Sequence, residues 1–334
     1  MVNLLTSTEV KDVDRIIGEI VRLGECHFPA RIRGYYLVGS YAVGEAVVTS
    51  DLDMVIVFKD NLSLPEKQRF SAFKEYCQQL FPLAIDLTAC GEIQLIQTGG
   101  VKFQTASLLM YGEDIRAAVP LKPVADHIRD SMHAQYPLFA RVRGNAPRLI
   151  FPLDYPDPMG EFLGYDCRSM RLADGTIQPG IKDLVVNVLS PAEALILYKT
   201  NRYLGSGSWK RNCANQYQIS INDEWTELVA DVYEYGCQQW AYLVPEATGE
   251  RKRLRRLCEQ ALGFENHFLL QYKDYVLAQL PKVDSYVQLR YVQRLEQIIY
   301  PDAAEALASA LKQLNNSTPE LQQALAATLQ AYRA

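Results

Sequence analysis

The sequence predicts an α/β domain followed by a mainly α-helical domain, and three observations lead to this fold class. The chain has 334 residues, a length that favours two domains over one. Short apolar runs bounded by glycine or proline, typical of strands, fall within the first third of the sequence. From residue 190 onward, long stretches with helical spacing predominate. We therefore predict one domain at residues 1–145 and a second at residues 146–334.

The first domain is predicted to alternate helices with short strands. Pro29 interrupts a first helical pattern, Pro65 lies near the start of another, and Pro82 opens a short apolar run. The predicted elements, in chain order, are a helix at 10–23, strands at 35–38 and 54–58, a helix at 65–80, a strand at 83–87 and a helix at 123–139.

The stretch around the first two strands carries the most informative pattern. Residues 35–60 read YYLVGSYAVGEAVVTSDLDMVIVFKD, with Gly39-Ser40 after one strand and Asp51-Leu52-Asp53 opening the next. Because side chains alternate along a strand, Asp51 and Asp53 are predicted on one face. Two neighbouring carboxylates repel each other and lose solvation, which a fold tolerates when a cation lies between them. Mg²⁺, a hard cation that also takes phosphate oxygens, suits such a pair.

This segment resembles the signature of the DNA polymerase β-like nucleotidyltransferase superfamily, in which Gly-Ser and a short helix precede Asp-x-Asp. The matching residues are Gly39, Ser40, Gly44, Ser50, Asp51 and Asp53. The resemblance implies a mixed-sheet domain that transfers a nucleotidyl group from a nucleoside triphosphate to an acceptor hydroxyl. It implies that Asp51 and Asp53 hold metal ions. It also implies that Gly39, Ser40 and Ser50 contribute to binding the triphosphate.

Asp86 is the predicted third carboxylate of this site. It lies in the apolar run Leu83-Ala84-Ile85-Asp86-Leu87, where an aspartate is costly unless it is paired or binds a metal. In the superfamily a third carboxylate commonly comes from a strand next to the Asp-x-Asp strand, and Asp86 matches that place. The resemblance implies that Asp86 is a metal ligand or the base that takes the proton of the acceptor hydroxyl. Glu92 lies nearby and is the alternative base.

A loop at residues 151–179 differs in composition from the rest of the chain. It is rich in Pro, Gly, Asp and Tyr, and it contains a turn signal, Asp174-Gly175-Thr176, between two short predicted strands. Its acidic and aromatic residues are Asp154, Tyr155, Asp157, Glu161, Phe162, Tyr165 and Asp166. Acidic groups beside aromatic faces would suit a cationic or polyhydroxylated acceptor. An ordinary surface loop is the alternative.

The second domain is predicted to consist of helices. Ser190 and Pro191 are predicted to begin a helix that ends at Gly205. The other predicted helices cover residues 225–240, 250–278, 283–299 and 303–332, with a break at Asn315-Asn316-Ser317.

One passage in this domain carries a second resemblance. Residues 195–217, LILYKTNRYLGSGSWKRNCANQY, resemble the helical domain of streptomycin-type aminoglycoside nucleotidyltransferases. In those enzymes a lysine shortly after a helix reaches the triphosphate, and Lys210 falls at that place. The resemblance implies that Lys210 neutralises charge on the leaving pyrophosphate.

Composition narrows the possible partners. The net charge of −5 and a pI near 5.5 argue against a long nucleic-acid partner, which normally requires a basic surface. The seven cysteines show no CxxC spacing and the four histidines no metal-like spacing, so zinc is not expected. Reduced thiols fit a cytoplasmic protein. Neither a signal peptide nor a membrane-spanning run is expected.

The resemblances together imply an enzyme with Mg²⁺ and ATP as its cofactor and donor. The expected reaction moves AMP from ATP onto a hydroxyl of a small molecule such as an aminoglycoside and releases pyrophosphate. A protein side chain or an oligonucleotide are the alternative acceptors. A non-catalytic nucleotide-binding module is the alternative of a different class, and the three predicted carboxylates count against it.

Overall fold

The computed structural model of the protein describes residues 2–172, 174–305, 309, 311 and 318–332. The chain divides into two compact units, and each draws on separate stretches of sequence. The first unit comprises residues 1–127, 169–178 and 203–212, and the second comprises 128–168, 179–202 and 213–334. The sequence predicted a single boundary at residue 145, whereas the two units are assembled from three segments each. Segments that are distant in sequence pack within one unit, which a linear reading does not reveal.

A four-stranded mixed sheet with strand order β3-β2-β1-β4 forms the centre of the first unit. The strands are β1 (Ile32–Val38), β2 (Leu52–Phe58), β3 (Ile85–Gly91) and β4 (Leu108–Gly112). Strand β1 pairs with β2 and β4 in antiparallel fashion, whereas β2 and β3 are parallel. The prediction of a mixed sheet is confirmed.

Helices cover the sheet of the first unit. They are α1 (Lys11–His27), α2 (Gly39–Ala42), α3 (Leu64–Leu80), α4 (Glu92–Thr98) and α5 (Val101–Ala106). Helix α3 begins beside Pro65, as predicted, and the structure adds a capping box between Ser63 and Glu66. Ile17 and Ile20 of α1 and Phe73 of α3 join strand residues in one buried apolar cluster. Burial of this cluster fixes both helices on the sheet.

The remaining chain is mainly helical, and this part of the prediction is also confirmed. The helices are α6 (Val124–His133), α7 (Gln135–Val142), α8 (Lys182–Thr200), α9 (Trp209–Ser220), α10 (Thr226–Asp231), a π-helical turn (Val232–Gln239), α11 (Thr248–Gln279), α12 (Ser285–Gln297) and α13 (Pro319–Ala331). Two small sheets accompany them, β5 (Leu149–Ile150) with β8 (Ile298–Ile299) and β6 (Arg168–Arg171) with β7 (Ile177–Gly180).

The predicted turn at Asp174 lies between β6 and β7. Asp174 accepts hydrogen bonds from the Thr176 amide and hydroxyl at 2.9 and 2.7 Å.

The predicted break at Asn315-Asn316-Ser317 lies outside the described residues. Within the part of the chain that the structure describes, no helix combines the length and the apolar character needed to cross a bilayer.

The predicted helix start at Ser190-Pro191 is wrong. Helix α8 begins at Lys182 and carries Pro191 in its interior. Most of its residues from Asp183 to Leu197 are buried, and this packing sustains the helix through a proline that would otherwise break it. The helix ends earlier than predicted, because Asn201 adopts the left-handed conformation with φ 51°.

A buried ion pair lies at the centre of the second unit. Glu265 of α11 is fully buried and accepts hydrogen bonds from the Arg143 guanidinium at 2.6 Å and from the Asn187 amide at 3.0 Å. Arg143 also donates to the backbone carbonyls of Phe139 and Asp154. Burial raises the pKa of the Glu265 carboxyl, and Arg143 opposes that rise. The Arg143 guanidinium therefore favours the charged form of the buried Glu265 carboxyl.

Candidate active site

One edge of the mixed sheet brings the predicted acidic residues next to the Gly39-Ser40 turn. Strand β1 ends at this edge, whereas β2 and β3 begin there. Asp53 is in register with Val38 on one side and with Asp86 on the other. Register partners on adjacent strands lie about 4.8 Å apart and present their side chains to the same face. Asp51 precedes β2 by one residue, so all three aspartates belong to this edge.

Gly39 and Asp53 pack directly against each other. Gly39 has a φ of +73°, a conformation that side-chain-bearing residues rarely adopt. A Cβ added at this position would overlap Oδ2 of Asp53 and lie 3.2 Å from its Cγ. The turn therefore requires glycine for two independent reasons, and the bare backbone here supports the Asp53 carboxylate.

Gly39→Ala should lower the free energy of unfolding by about 1–2 kcal/mol through backbone strain alone, with the Asp53 clash adding to that loss. Gly18→Ala is the matched control, because Gly18 lies inside α1 and an added Cβ would meet no atom within 4 Å. That control should gain about 0.5–1 kcal/mol. Urea unfolding of the two variants measures the difference, and equal stabilities would contradict the described packing.

Asp86 is paired in the structure, which is one of the two conditions under which an aspartate fits an apolar strand pattern. Its side chain is 56% exposed and forms an ion pair at 2.5 Å with Lys74 of α3. Exposure and this partner remove the cost that an apolar strand would otherwise impose on the carboxylate. Among the residues that the structure describes, no three His, Cys, Asp or Glu side chains are grouped so that they could hold one metal ion. Asp86 shares the sheet edge with Asp53 and is engaged by Lys74.

Glu92, the alternative base, lies at the other end of β3. It is six residues beyond Asp86, which corresponds to about 20 Å along a strand. Its carboxylate accepts a hydrogen bond from Arg33 at 2.9 Å, and Arg33 also pairs with Glu113 at 2.7 Å. Glu92 therefore belongs to an ion-pair cluster at the opposite edge of the sheet, and Asp86 is the carboxylate that lies beside Asp53.

The two serines of the motif have different surroundings. Ser50 is only 6% exposed, and its hydroxyl accepts a hydrogen bond from the Val47 amide at 2.9 Å. It shapes the turn that leads into Asp51. Ser40 is partly exposed at the start of α2, and its carbonyl accepts a hydrogen bond from the Glu45 amide at 2.9 Å. Ser40 is thus the motif serine whose side chain is accessible from solvent.

Glu45 is a site residue that the sequence analysis missed. Its side chain is 5% exposed and pairs with Arg211 at 2.7 Å. The Ser208 hydroxyl also donates a hydrogen bond to the Glu45 carboxylate. No local pattern marks this pairing, because Ser208 follows Glu45 by 163 residues. Glu45 therefore attaches a late segment of the chain to the loop that follows Gly39 and Ser40.

The late segment, residues 203–212, belongs to the first unit and contains Lys210. The Gly207 amide donates to the Thr105 carbonyl at 3.3 Å. The ammonium groups of Lys102 and Lys210 lie 4.8 and 5.9 Å from the ring centre of Trp209. Lys210 thus lies in the same compact unit as Gly39 and the aspartates, in the company of a second lysine that the sequence did not single out.

The acidic and aromatic loop at residues 151–179 was predicted to suit a cationic or polyhydroxylated acceptor, and the structure gives this prediction little support. Phe162 and Tyr165 are 1% and 0% exposed and belong to the core. Glu161 pairs with Arg251, which also stacks on the Phe162 ring at 4.9 Å. The rings therefore do not present an aromatic face to solvent. This observation favours a packing role for them over the predicted contact with a cationic acceptor.

Part of the first unit is similar in sequence to a known protein family. Residues 15–110 match the family model of the nucleotidyltransferase domain. No curated protein matches the chain. A solved structure of the spectinomycin adenyltransferase AAD(9) from Enterococcus faecialis, with ATP and spectinomycin, is 12% identical, with 75% of this chain and 98% of that chain covered and a TM-score of 0.45. A toxin–antitoxin structure with AMP-PNP is 16% identical, with 40% and 97% covered and a TM-score of 0.24.

The family match covers the part of the chain that carries the sheet edge. It extends from α1 into β4 and includes Gly39, Ser40, Asp51, Asp53 and Asp86. The predicted resemblance and the prediction of an enzyme are confirmed at this level. Residues 15–110, which form most of the first unit, are therefore similar to the nucleotidyltransferase domain family.

Proposed function

We propose that this enzyme moves AMP from ATP onto a hydroxyl of a small molecule such as an aminoglycoside and releases pyrophosphate, with Mg²⁺ as its metal. The observation that supports the chemistry best is the sheet edge, where Asp53 packs on the Gly39 backbone between Asp51 and Asp86. Such an edge combines a close approach for a phosphate with a concentration of carboxylate oxygens.

The residues at this edge fit a magnesium ion. Asp51 and Asp53 supply hard oxygen donors, and Mg²⁺ needs only one or two carboxylates when phosphate oxygens and waters complete its shell. Asp86 would be a third donor once its carboxylate separates from Lys74. Bound Mg²⁺ would supply polarisation of the α-phosphate and would favour deprotonation of the attacking hydroxyl.

The chain's own groups then have distinct tasks. Backbone amides of the Gly39 turn and the Ser40 hydroxyl would donate hydrogen bonds to triphosphate oxygens. Ser50 would act by holding the turn before Asp51. Lys210 would neutralise charge that develops on the pyrophosphate, and Lys102 is a second cation beside the same indole ring. Asp86 would accept the proton of the acceptor hydroxyl.

Two observations support the proposed acceptor. They are the net charge of the chain and the resemblance of residues 195–217 to aminoglycoside nucleotidyltransferases. The net charge of −5 favours a cationic or neutral small molecule over a nucleic acid. A protein hydroxyl is the second candidate acceptor, and the same acidic balance is compatible with it. We place the enzyme in the cytoplasm, because all seven cysteines are free thiols, as a reducing compartment requires.

Pyrophosphate release tests the proposal. The full-length protein is incubated with Mg²⁺, each of the four ribonucleoside triphosphates in turn, and a panel of aminoglycosides that includes streptomycin, with spectinomycin added to the panel. Release that requires ATP together with one of these compounds would support donor and acceptor at once. Release with no added acceptor would point to self-modification or oligonucleotide synthesis. Equal release from all four triphosphates would contradict the choice of ATP.

Glu45→Ala should raise the KM for ATP about tenfold or more, because it removes hydrogen bonds to a charged carboxylate that hold the Lys210 segment. The effect on kcat should be smaller, since Glu45 is a positioning residue. Glu113→Ala is the matched control, because it breaks another arginine–glutamate pair of the same unit, one whose carboxylate is 71% exposed. Steady-state kinetics with varied ATP measure the effect. An unchanged KM in Glu45→Ala would show that the segment does not contribute to donor binding.

A further inference from the structure

A cavity of about 1070 Å³ lies entirely within the second unit, away from every residue assigned above to nucleotidyl transfer. Helices α6, α7 and α12 and residues 147–148 form its walls. Its charged and titratable lining residues are Asp130, His133, Arg148, Arg290, Arg294 and Glu296. This volume is slightly above the range of about 300–1,000 Å³ that is typical of sites for small ligands. The composition of the wall therefore decides what the cavity could hold.

The three arginines of the wall are not equally neutralised. Arg148 pairs with Glu296 at 3.2 Å, and Arg290 approaches Asp130 at 4.0 Å. Within the described part of the chain, Arg294 has no carboxylate at ion-pair distance. It donates instead to the Gln297 side-chain oxygen at 2.6 Å, and its guanidinium lies 4.9 Å from the Tyr136 ring centre. A partly buried guanidinium without an anionic partner is unfavourable unless a ligand supplies the charge.

The surroundings of Arg294 disfavour its charged form. Burial lowers the pKa of its guanidinium, and the neighbouring Tyr272 and Tyr136 only partly oppose this change. Burial, with Arg294 and Arg129 nearby, also lowers the pKa of His133 to about 3. The imidazole is therefore neutral at pH 7, and the positive charge of the cavity comes from arginine alone.

The His133 imidazole is the second polar group of the cavity wall that could bind a ligand. Its Nδ1 lies 2.6 Å from the Tyr272 hydroxyl, which has no other hydrogen-bond partner among the described residues. The arrangement that gives the hydroxyl proton an acceptor is donation to Nδ1, and in that tautomer the proton of the neutral ring is on Nε2. That Nε2 is shielded from solvent and finds no hydrogen-bond acceptor among the residues that the structure describes. A buried donor of this kind costs free energy until an acceptor arrives.

We propose that this cavity is a binding site for a small ligand that carries a compact anionic group, a phosphate ester or a carboxylate. Arg294 pairs with the anionic group, and His133 Nε2 donates a hydrogen bond to the same ligand. Arg148 and Arg290 are already engaged by Glu296 and Asp130, so one or two negative charges match the wall better than a long polyanion. This site is separate from the donor and acceptor of nucleotidyl transfer.

Histidine ring signals in NMR spectra provide a direct test, because the chain has only four histidines. The full-length protein without Mg²⁺ is titrated with inorganic phosphate in one arm and with acetate in another. The His133 signal, identified with His133→Gln, should shift in a saturable manner in at least one arm. Saturation by phosphate alone assigns a phosphate-bearing ligand, and saturation by acetate alone assigns a carboxylate. Absence of a saturable shift in both arms would overturn the proposal.

Substitutions of the arginines in the cavity wall test whether the anion binds at Arg294. Arg294→Gln should weaken the binding by about tenfold or more, because it removes the charged partner. Arg22→Gln is the matched control, since Arg22 is 54% exposed and pairs with Glu19 on α1 of the other unit, and its affinity should equal that of the unmodified protein. Should Arg294→Gln fail to fold, Arg290→Gln replaces a half-exposed guanidinium of the same cavity and should weaken binding to a smaller extent. Unchanged affinity in the folded cavity variant would overturn the assignment.

Discussion

Asp53→Asn should lower kcat/KM for ATP by about a thousandfold, which corresponds to ~4 kcal/mol of lost transition-state stabilisation. The substitution keeps the shape of the side chain and removes one negative charge at the centre of the sheet edge. Asp53 is the residue that contacts the Gly39 backbone and is in register with both Val38 and Asp86. An amide there would hold a cation far less well than a carboxylate does.

Pyrophosphate release measures this loss, and urea unfolding checks that the variant is folded. The fold should survive, because the neutral amide relieves repulsion among three neighbouring aspartates. Asp12→Asn is the matched control, since its side chain is 85% exposed on α1, and it should retain normal turnover. Near-normal turnover in Asp53→Asn would contradict the proposed mechanism.

Arg143→Met should lower the free energy of unfolding by about 3–5 kcal/mol at neutral pH. The change leaves the carboxylate of Glu265, which is 0% exposed, with neutral groups such as the Asn187 amide, which donates a hydrogen bond at 3.0 Å. It also removes hydrogen bonds to the carbonyls of Phe139 and Asp154. Burying an uncompensated charge is among the most costly single changes in a protein core.

The pH dependence of that loss identifies its cause. Burial raises the pKa of Glu265 in the folded state, so the folded protein binds more protons than the unfolded chain above pH ~4.5. Stability then falls as the pH rises, and without Arg143 the slope should steepen. Arg143→Met should therefore be less destabilised at pH 5 than at pH 8.

A double variant separates the charge from the packing. Arg143→Met with Glu265→Gln removes both charges and retains an amide that can still bind Asn187, so it should recover much of the lost stability. Urea unfolding at the two pH values measures all three proteins. A double variant as unstable as Arg143→Met, with no pH dependence, would show that the lost carbonyl hydrogen bonds dominate.

The sequence was most informative where neighbours in sequence are also neighbours in space. Gly39 and Asp53 are separated by one short helix and a turn, and strand alternation places Asp53 at the edge of β2 without knowledge of the rest of the fold. The start of α3 near Pro65 was predicted for the same reason. In these cases the physical cause acts within a few residues.

Prediction from the sequence was less successful where burial or a partner distant in sequence determines the surroundings of a residue. Asp86 resembled a buried carboxylate in an apolar strand, but its outward-facing position and Lys74 became apparent only in the folded unit. Pro191 indicated a helix start, yet the packing of α8 overrides that local preference. Phe162 and Tyr165 of the 151–179 loop are core residues, and their burial likewise depends on packing against distant parts of the chain.

The hydrogen bond between Glu45 and Ser208 also constrains how the first unit is made on the ribosome. The two residues are separated by 163 positions, which corresponds to roughly 10 to 30 seconds of synthesis at ordinary elongation rates. During that interval the Glu45 carboxylate has emerged without Ser208 and Arg211, so the nascent nucleotidyltransferase domain lacks its Lys210 segment. Attachment of residues 203–212 to the first unit is therefore a late event in biosynthesis, and a ribosome stalled before residue 208 would carry the sheet without this segment.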